Sequence, residues 1–491
     1  MRYSTALLPL VAVASAVVIP DEATAKQLVL EAEHKAEKTE SSWWDILPTG
    51  DDVLSSAEDL LADTLDAAER QAGKLNDLLR KIEVDASSEI SDFFSSSEPS
   101  VSGGHGHHGH HGHHGPPHKT NLTIYESIKA SNYTKKFAAL VDDFPDLVKK
   151  LNSTKDGNVT AFVPSDRAFE KIPHHGKDHK PPKEFVEKII EYHILPGLYP
   201  AGRVLARHTL PTALKEEELG GRPQRIRVSK GFFSLKLNFY SKIIFPNLFT
   251  ANGVLHGVDS ILVPPPPVER LISLFPSKFS TLELAAEKTG FNHHHHHHSG
   301  DDGDDDNDDE KLTGLTVFAP TNFAFQKLGP RANAFLFNTE KGLGYLRALL
   351  AYHVVANETL YSDEFYGKKK EDDLSFFDEE ESGEVDAETV KPKYVHLDLP
   401  TLLGDKHIAV DISRWFGFIK IRLNGHVDVA IQDGIAKDGV VQVINSVLIP
   451  PHPHHKGLWN EEVDGEISVE ELVARLEPFV EGHDEVEAGE L

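Results

Sequence analysis

Cysteine is absent from this chain of 491 residues, and the sequence contains only one methionine and four tryptophans. The absence of cysteine excludes disulfides, a thiolate metal site and a cysteine nucleophile. After the N-terminal stretch, no apolar run reaches the roughly 18 residues that a membrane-spanning helix needs. Positive charge is also scarce, because 50 Lys and Arg residues face 78 Asp and Glu residues, for a net charge of −28. This balance argues against nucleic-acid binding, which needs a basic surface to replace phosphate counterions.

The negative charge is concentrated in three tracts, at 301–310, 371–388 and 461–491. Charge runs of this kind are typical of solvated, disordered segments. We therefore expect acidic insertions around near-neutral globular bodies and an acidic C-terminal tail at 452–491.

The first residues are typical of a secretory signal peptide at 1–16. Arg2 precedes an apolar stretch at 4–19, and Ala14-Ser15-Ala16 fits a small-x-small cleavage site. A buried N-terminal helix is the alternative. Five Asn-x-Thr sequons, which are glycan acceptors only when exposed and secreted, support the secretory route. Their asparagines are Asn121, Asn132, Asn152, Asn158 and Asn357.

Residues 17–102 form an acidic region, in which leucines and alanines recur at helical steps over 51–85. That pattern predicts an amphipathic helix. This helix is expected to bind a partner, a lipid surface or a copy of itself, although its acidic polar face disfavours anionic membranes. The alternatives are a helix packed on its own downstream domain and a marginal coil. The His- and Gly-rich stretch at 103–118 follows as a linker, because such a composition cannot build a core.

An internal repeat decides the fold. Three blocks occur twice in the same order, so the chain contains two copies of one domain, at 119–265 and 268–451. The blocks are TAFVPSDRAF at 160–169 and TVFAPTNFAF at 316–325, Tyr-His at 192–193 and 352–353, and NGVLHGVDSILVP at 252–264 and DGVVQVINSVLIP at 438–450. The spacing in the second copy indicates an acidic insertion at 368–390, besides a His- and Asp-rich loop at 292–310.

Each block predicts local structure. The Thr-x-Phe-x-Pro run predicts a buried strand that proline ends. Ser165-Asp166 and Thr321-Asn322 are expected to cap a following helix. Helices should end in the Tyr-His pairs. Asn252-Gly253 and Asp438-Gly439 should form hairpin turns.

These blocks resemble the fasciclin domain family, and the match covers both copies. The resemblance implies an α+β fold, with two tandem β-wedge plus helix domains. It also implies an extracellular or cell-surface module linked to adhesion and matrix contacts. A signal peptide with tandem domains and no anchor looks like a fungal member, resident at the cell wall, in the medium or in the vacuole.

The Tyr-His pairs look like the family's adhesion motif. The candidates are Tyr192, His193, Tyr352 and His353. Adjacent helical residues point about 100° apart, so a pair cannot act as one face. The alternative is that each histidine packs internally and holds a loop by a hydrogen bond.

Two histidine tracts are candidate Zn²⁺, Ni²⁺ or Cu²⁺ ligands, since neutral imidazole suits all three ions. Their flexible setting predicts weak, fluxional binding and no dedicated cofactor. Asp301 to Glu310 lacks the regular ligand spacing of a calcium loop. The candidate metal ligands are His105, His107, His108, His110, His111, His113, His114, His293, His294, His295, His296, His297 and His298.

A basic stretch in the first copy carries Arg222, Arg225, Arg227 and Lys230 at alternating positions. It is expected to be either an edge strand protected by charge or a surface that meets an acidic polysaccharide or the acidic N-terminal region.

The sequence thus favours a non-catalytic secreted or cell-surface binding protein. Its partner is expected to be a cell-surface or matrix protein or a polysaccharide. Serine-triad, Walker and dinucleotide motifs are absent, which argues against an enzyme. The alternatives are a metal-buffering secreted or vacuolar protein that uses the domains as a scaffold, and a hydrolase without a recognised motif.

Overall fold

The described residues of the computed structural model all belong to one unit of the chain, at 47–491. The predicted signal peptide, the acidic region with its 51–85 helix, the His/Gly-rich linker except His118, the loop at 292–310 and much of the acidic insertion lie outside them. The described ranges are 118–155, 157–172, 181–231, 234–291, 313–376, 393–415, 418–451 and 467–480.

The first domain is a mixed sheet with helices packed on it. Its strand order is β3-β2-β8-β7-β6-β5-β4, with β1 beside β7. The strands are β1 (His118–Lys119), β2 (Val159–Pro164), β3 (Ile194–Pro196), β4 (Thr209–Glu216), β5 (Arg222–Gly231), β6 (Ser234–Leu237), β7 (Ser241–Thr250) and β8 (Gly253–Val258). The helices are α1 (Ile124–Ala130), α2 (Lys135–Asp142), α3 (Pro145–Asn152), α4 (Lys183–Tyr192) and α5 (Ala201–Ala206).

The second domain repeats this arrangement, with the order β10-β9-β18-β17-β16-β15-β14. The α+β fold with two tandem domains is therefore confirmed. Its strands are β9 (Leu315–Pro320), β10 (Val354–Ala356), β14 (Lys393–Pro400), β15 (His407–Trp415), β16 (Phe418–Leu423), β17 (Val427–Ile435) and β18 (Gly439–Ile444). Its helices are α6 (Val268–Ser273), α7 (Pro276–Thr289), α8 (Asn322–Lys327), α9 (Pro330–Asn338) and α10 (Glu340–Tyr352).

The centre of each sheet is a parallel pair, β2 with β8 and β9 with β18. All residues of β2 and of β18 are buried, as are most residues of β9. Such burial is expected for strands covered on both faces. The hairpin glycines are needed here for close approach. A Cβ on Gly253 would lie 1.8 Å from the Val159 carbonyl oxygen, and one on Gly439 would lie 2.1 Å from that of Leu315.

The helix predicted after the first strand forms in only one copy. Thr321 caps α8 by accepting a hydrogen bond from the Ala324 N–H at 3.3 Å. In the first copy the prediction is wrong, because only a short 3₁₀ turn at Ala168–Lys171 forms. The Asp166 carboxylate instead accepts from the Lys136 N–H, at the start of α2.

Two acidic segments contribute more structure than their charge indicated. The second domain carries an extra three-stranded sheet of β11 (Thr359–Leu360), β12 (Glu364–Tyr366) and β13 (Leu374–Ser375), so the beginning of the predicted insertion belongs to the folded body. Helix α11 (Val469–Leu476) lies in the predicted acidic tail, and its Leu472 and Leu476 are buried in the core of the second domain.

No helix of the described ranges is long and apolar enough to cross a lipid bilayer.

Candidate functional site

The two tyrosines of the Tyr-His pairs are fully buried. The Tyr192 hydroxyl donates to the Arg225 carbonyl at 2.9 Å and accepts from the Asn238 amide at 2.8 Å. The Tyr352 hydroxyl repeats this arrangement with the His407 carbonyl and the Asn424 amide. Burial raises the pKa of Tyr352 to about 12. Each tyrosine therefore ties the last turn of a helix to the antiparallel part of its sheet.

The two histidines of these pairs are also buried, and both ring nitrogens of each are used. His193 Nδ1 lies 2.7 Å from the Ile189 carbonyl, and its Nε2 accepts from the Leu262 N–H at 2.9 Å. His353 makes the same contacts with the Leu349 carbonyl and the Leu448 N–H. A carbonyl can only accept and an amide N–H can only donate, so each ring is neutral with its proton on Nδ1.

Burial lowers the pKa of both histidines to about 4, against the smaller opposing effect of the hydrogen bond to the helix carbonyl. In this fold the four side chains support two loops from inside and are not exposed to a partner. Their assignment to an adhesion motif stays a prediction, and any such role has to act through the loops that they position.

The basic stretch of the first domain is not an edge strand, contrary to the prediction. Strand β5 lies between β4 and β6. Arg222 and Arg225 are buried, with exposed fractions of 4% and 3%, and both contact the second domain. The buried part of the predicted polysaccharide surface is therefore an interface between the two domains, and its acidic partners among the described residues lie in the extra sheet around β12.

Arg222 and Arg227 flank this interface. The Arg222 Nε donates to both carboxylate oxygens of Asp373 at 3.0 Å, and its Nη2 donates to the Gly367 carbonyl at 2.7 Å. The Arg227 Nε donates to the Gln432 carbonyl at 2.8 Å. The Arg222 Nη2 also lies 2.9 Å from an Asp373 carboxylate oxygen, so two nitrogens of Arg222 contact this carboxylate and fix its orientation.

Arg225 lies at the centre of the interface. Its Nε donates to the Thr209 hydroxyl at 2.6 Å, and its Nη1 donates to the Tyr366 hydroxyl at 3.2 Å. Carboxylate oxygens of Glu364 and Asp363 lie 3.6 Å and 3.9 Å from its terminal nitrogens. The guanidinium is thus surrounded by groups from both domains that stabilise its charge.

Asp363 completes the cluster from the second domain. Its carboxylate accepts from the backbone N–H groups of His208 at 2.9 Å and Thr209 at 2.8 Å, and from the Thr209 hydroxyl. Burial alone would raise the pKa of Asp363, but the Arg225 charge and these hydrogen bonds outweigh burial and hold the pKa below its ordinary value.

A cleft of about 120 Å³ opens beside this cluster, between the domains. The first domain contributes three guanidinium groups, two hydroxyl-bearing side chains and one proline, and the second domain contributes one carboxylate and one hydroxyl. The lining residues are Tyr199, Arg203, Arg207, Thr209, Pro211, Arg225, Glu364 and Ser375. A cleft with this lining can accept hydrogen-bonding anionic groups.

The sequons are placed on the surface of the described domains. Asn121, Asn132, Asn152 and Asn158 are exposed. Asn357 is only partly exposed, has a positive φ of 65°, and accepts through its Oδ1 from the Thr313 N–H at 2.9 Å.

The predicted metal-binding histidines at 105–114 and 293–298, and the acidic run at 301–310, lie outside the described residues. Within the described ranges, no group of three His, Asp or Glu side chains is arranged to hold a metal ion.

Comparison with known proteins identifies a matching family and several relatives. The Fasciclin domain family matches residues 132–264 and 277–450. "Aurofusarin biosynthesis cluster protein S" of Gibberella zeae is 30% identical over 388 residues, covering 74% of this chain and 88% of that protein. Stabilin-1 of Mus musculus is 30% identical over 139 residues, and the match spans only 5% of its length.

Among solved structures, the chain is similar to the FAS1 domain pair of the insect cell adhesion molecule Fasciclin I. That likeness has 18% identity and a TM-score of 0.29, and it covers 64% of this chain and 96% of the other. The family match extends over both predicted copies, and the fungal relative extends over most of both proteins. The chain therefore belongs to the fasciclin domain family.

Proposed function

We propose that this protein is a non-catalytic binding protein of the cell surface or extracellular matrix. The observation that carries the proposal is the presence of two fasciclin domains joined through a buried charged interface. A joined pair offers a partner one continuous surface, which reduces the ordering cost of binding. The partner is a cell-surface or matrix protein or a polysaccharide.

The chemistry of the buried histidines supports a non-catalytic role. A general base needs a ring nitrogen within reach of a substrate proton and a pKa near the working pH. In His193 and His353 both nitrogens are hydrogen-bonded to backbone groups, and the pKa values lie near 4.

Secretion and glycosylation belong to the same proposal. The four exposed sequons, Asn121, Asn132, Asn152 and Asn158, are the expected glycan sites, whereas the backbone contact of Asn357 disfavours modification there. Enzymatic removal of N-glycans should raise the electrophoretic mobility of the natural protein. Replacing the four asparagines with glutamine should abolish that shift.

The experiment that tests the function is a binding assay on surfaces of the source cell. Purified full-length protein is mixed with isolated cell walls or matrix, with and without protease treatment of that material, and the protein left in solution is measured. Saturable depletion supports the proposal. Retention after protease treatment identifies a polysaccharide partner, and the absence of depletion contradicts the proposal.

A narrower proposal is that the binding function serves a biosynthetic pathway. The name of the Gibberella zeae relative places that protein in a biosynthesis cluster. Disruption of the gene should then change the secreted metabolites of the source organism, and an unchanged profile would contradict this narrower proposal.

The second candidate is metal buffering in the medium or vacuole by the histidine tracts at 105–114 and 293–298. Metal analysis of protein purified without a chelating column separates the two candidates. Stoichiometric Zn, Ni or Cu favours buffering, and trace metal favours binding alone. We also propose domain limits of 119–265 and 268–451, with α11 packed on the second domain.

A further inference from the structure

The cleft between the domains carries positive charge in a protein whose net charge is −28. Three guanidinium groups line it, from Arg203, Arg207 and Arg225. Two carboxylates oppose them, from Glu364 in the lining and from Asp363, which lies 3.9 Å from Arg225. Because these two acids compensate Arg225, the attraction for an anion comes from the exposed Arg203.

We propose that the interdomain cleft binds an oxyanion, either the acidic group of an extracellular sugar or a free inorganic anion. This inference deepens the proposed binding function and rests on it. The ligand chemistry is a planar carboxylate or a tetrahedral sulfate or phosphate held by guanidinium groups, which match both shapes through paired N–H donors.

Arg203 is the residue that reaches the ligand. Its side chain is exposed, and its guanidinium lies over the Tyr199 ring at 4.8 Å from the ring centre. Among the described residues, its one hydrogen-bond acceptor is the Leu198 carbonyl, which its Nη1 meets at 2.9 Å. A guanidinium has five N–H donors. Arg203 is thus oriented by the ring and the carbonyl while most of its donors face the cleft or solvent.

Arg225 forms the floor of the cleft and adds no uncompensated charge. It is buried and is held by Thr209 and Tyr366, and the carboxylates of Asp363 and Glu364 compensate its charge. Glu364, 3.6 Å from Arg225, limits how deeply a negative group can enter. The anion is therefore expected near Arg203, at the mouth of the cleft.

The size of the cleft limits what can enter. A volume of about 120 Å³ accommodates one oxyanion group and its nearest atoms, but not a complete polysaccharide chain. The rest of an acidic sugar would lie outside, against the surface of the domain pair.

The test uses the full-length protein and titration calorimetry at low ionic strength, because salt screens exposed charges. The probes are sodium sulfate, inorganic phosphate, glucuronate and an oligomer of galacturonate. Arg203→Gln is the main variant, since Arg203 is exposed and makes no described contact with the second domain. Arg270→Gln, at an exposed arginine of α6, is the matched control.

We expect saturable binding of at least one probe, weakened at least tenfold by Arg203→Gln and unchanged by Arg270→Gln. Preference for the oligomer identifies an acidic sugar as the source of the oxyanion, and equal binding of sulfate or phosphate identifies a small inorganic anion. Absence of binding by all probes, or equal affinity of Arg203→Gln and parent, overturns the inference. Retained cell-wall binding by Arg203→Gln would then show that the proposed function stands without the cleft.

Discussion

Replacement of Arg225 with methionine is the sharpest perturbation of the interface. Methionine approximates the volume of the side chain but removes the charge that compensates the buried Asp363 carboxylate, whose side chain is 2% exposed. Removing one partner of a buried ion pair typically costs about 3–5 kcal/mol. Asp363 keeps its hydrogen bonds from His208 and Thr209, so we expect about 3 kcal/mol, at the lower end of that range.

Native-state hydrogen exchange measures this loss of stability at the interface between the two domains. The amide protons of β12, at Glu364–Tyr366, should exchange about a hundredfold faster in Arg225→Met, because 1.4 kcal/mol corresponds to a factor of ten. Arg270→Met, at an exposed site, should change the opening free energy of these amides by less than about 0.5 kcal/mol.

A double-mutant cycle separates the pair from its surroundings. Asp363→Asn should reduce the opening free energy of the β12 amides less in the Arg225→Met background than in the parent, with a coupling energy of about 0.5–3 kcal/mol. If Arg225→Met leaves the β12 amides as protected as Arg270→Met does, the interface does not depend on this charge pair and the reasoning is refuted.

Three further predictions concern the cores. The pKa of His353 is about 4 in the folded protein and about 6.5 in the unfolded chain, so the unfolded chain binds more protons between these two pH values. Each such histidine should therefore lower the unfolding free energy by about 1.4 kcal/mol per pH unit as the pH falls from 6.5 to 4. An unfolding free energy from urea denaturation that does not change over this pH range would contradict the prediction. Gly253→Ala should cost more than about 4 kcal/mol in thermal unfolding, because its Cβ would overlap the neighbouring strand, whereas Gly202→Ala, with open space around it, should be neutral or slightly stabilising. Deleting 467–491 should destabilise the second domain by about 1.5–3 kcal/mol per buried leucine, and deleting only 481–491 should not; equal melting temperatures would refute the packing of α11.

The repeated blocks made the fold predictable from sequence. The run at 316–320 and the β-branched run after Gly439 pair in parallel at the centre of the sheet, and burial on both faces requires such apolar strands. The Tyr-His pairs lie at the ends of two helices, as the sequence predicts. Their burial follows from packing against strands far along the chain, which local periodicity does not reveal.

The interface and the cleft were not predictable in the same way. Alternating arginines in β5 are equally typical of a solvated edge, and their partners, such as Asp373, lie about 150 residues away. Asp373 belongs to the acidic tract at 371–388, whose residues were expected to be solvated because of their charge. Helix α11 did leave a local signal, since Leu472 and Leu476 are four residues apart, but the surrounding acidic charge obscured it.

We infer that the two fasciclin domains form one fixed unit, held together by Arg222, Arg225 and the extra sheet of the second domain. Because the chain has no cysteine, two introduced cysteines can carry spin labels specifically. We would place them at Lys135 in α2 and Arg331 in α9, both exposed, and measure the distance between the labels by pulsed electron paramagnetic resonance. We expect one narrow distance distribution that broadens in Arg225→Met. A broad distribution in the otherwise unchanged protein would show that the two domains do not form a fixed unit.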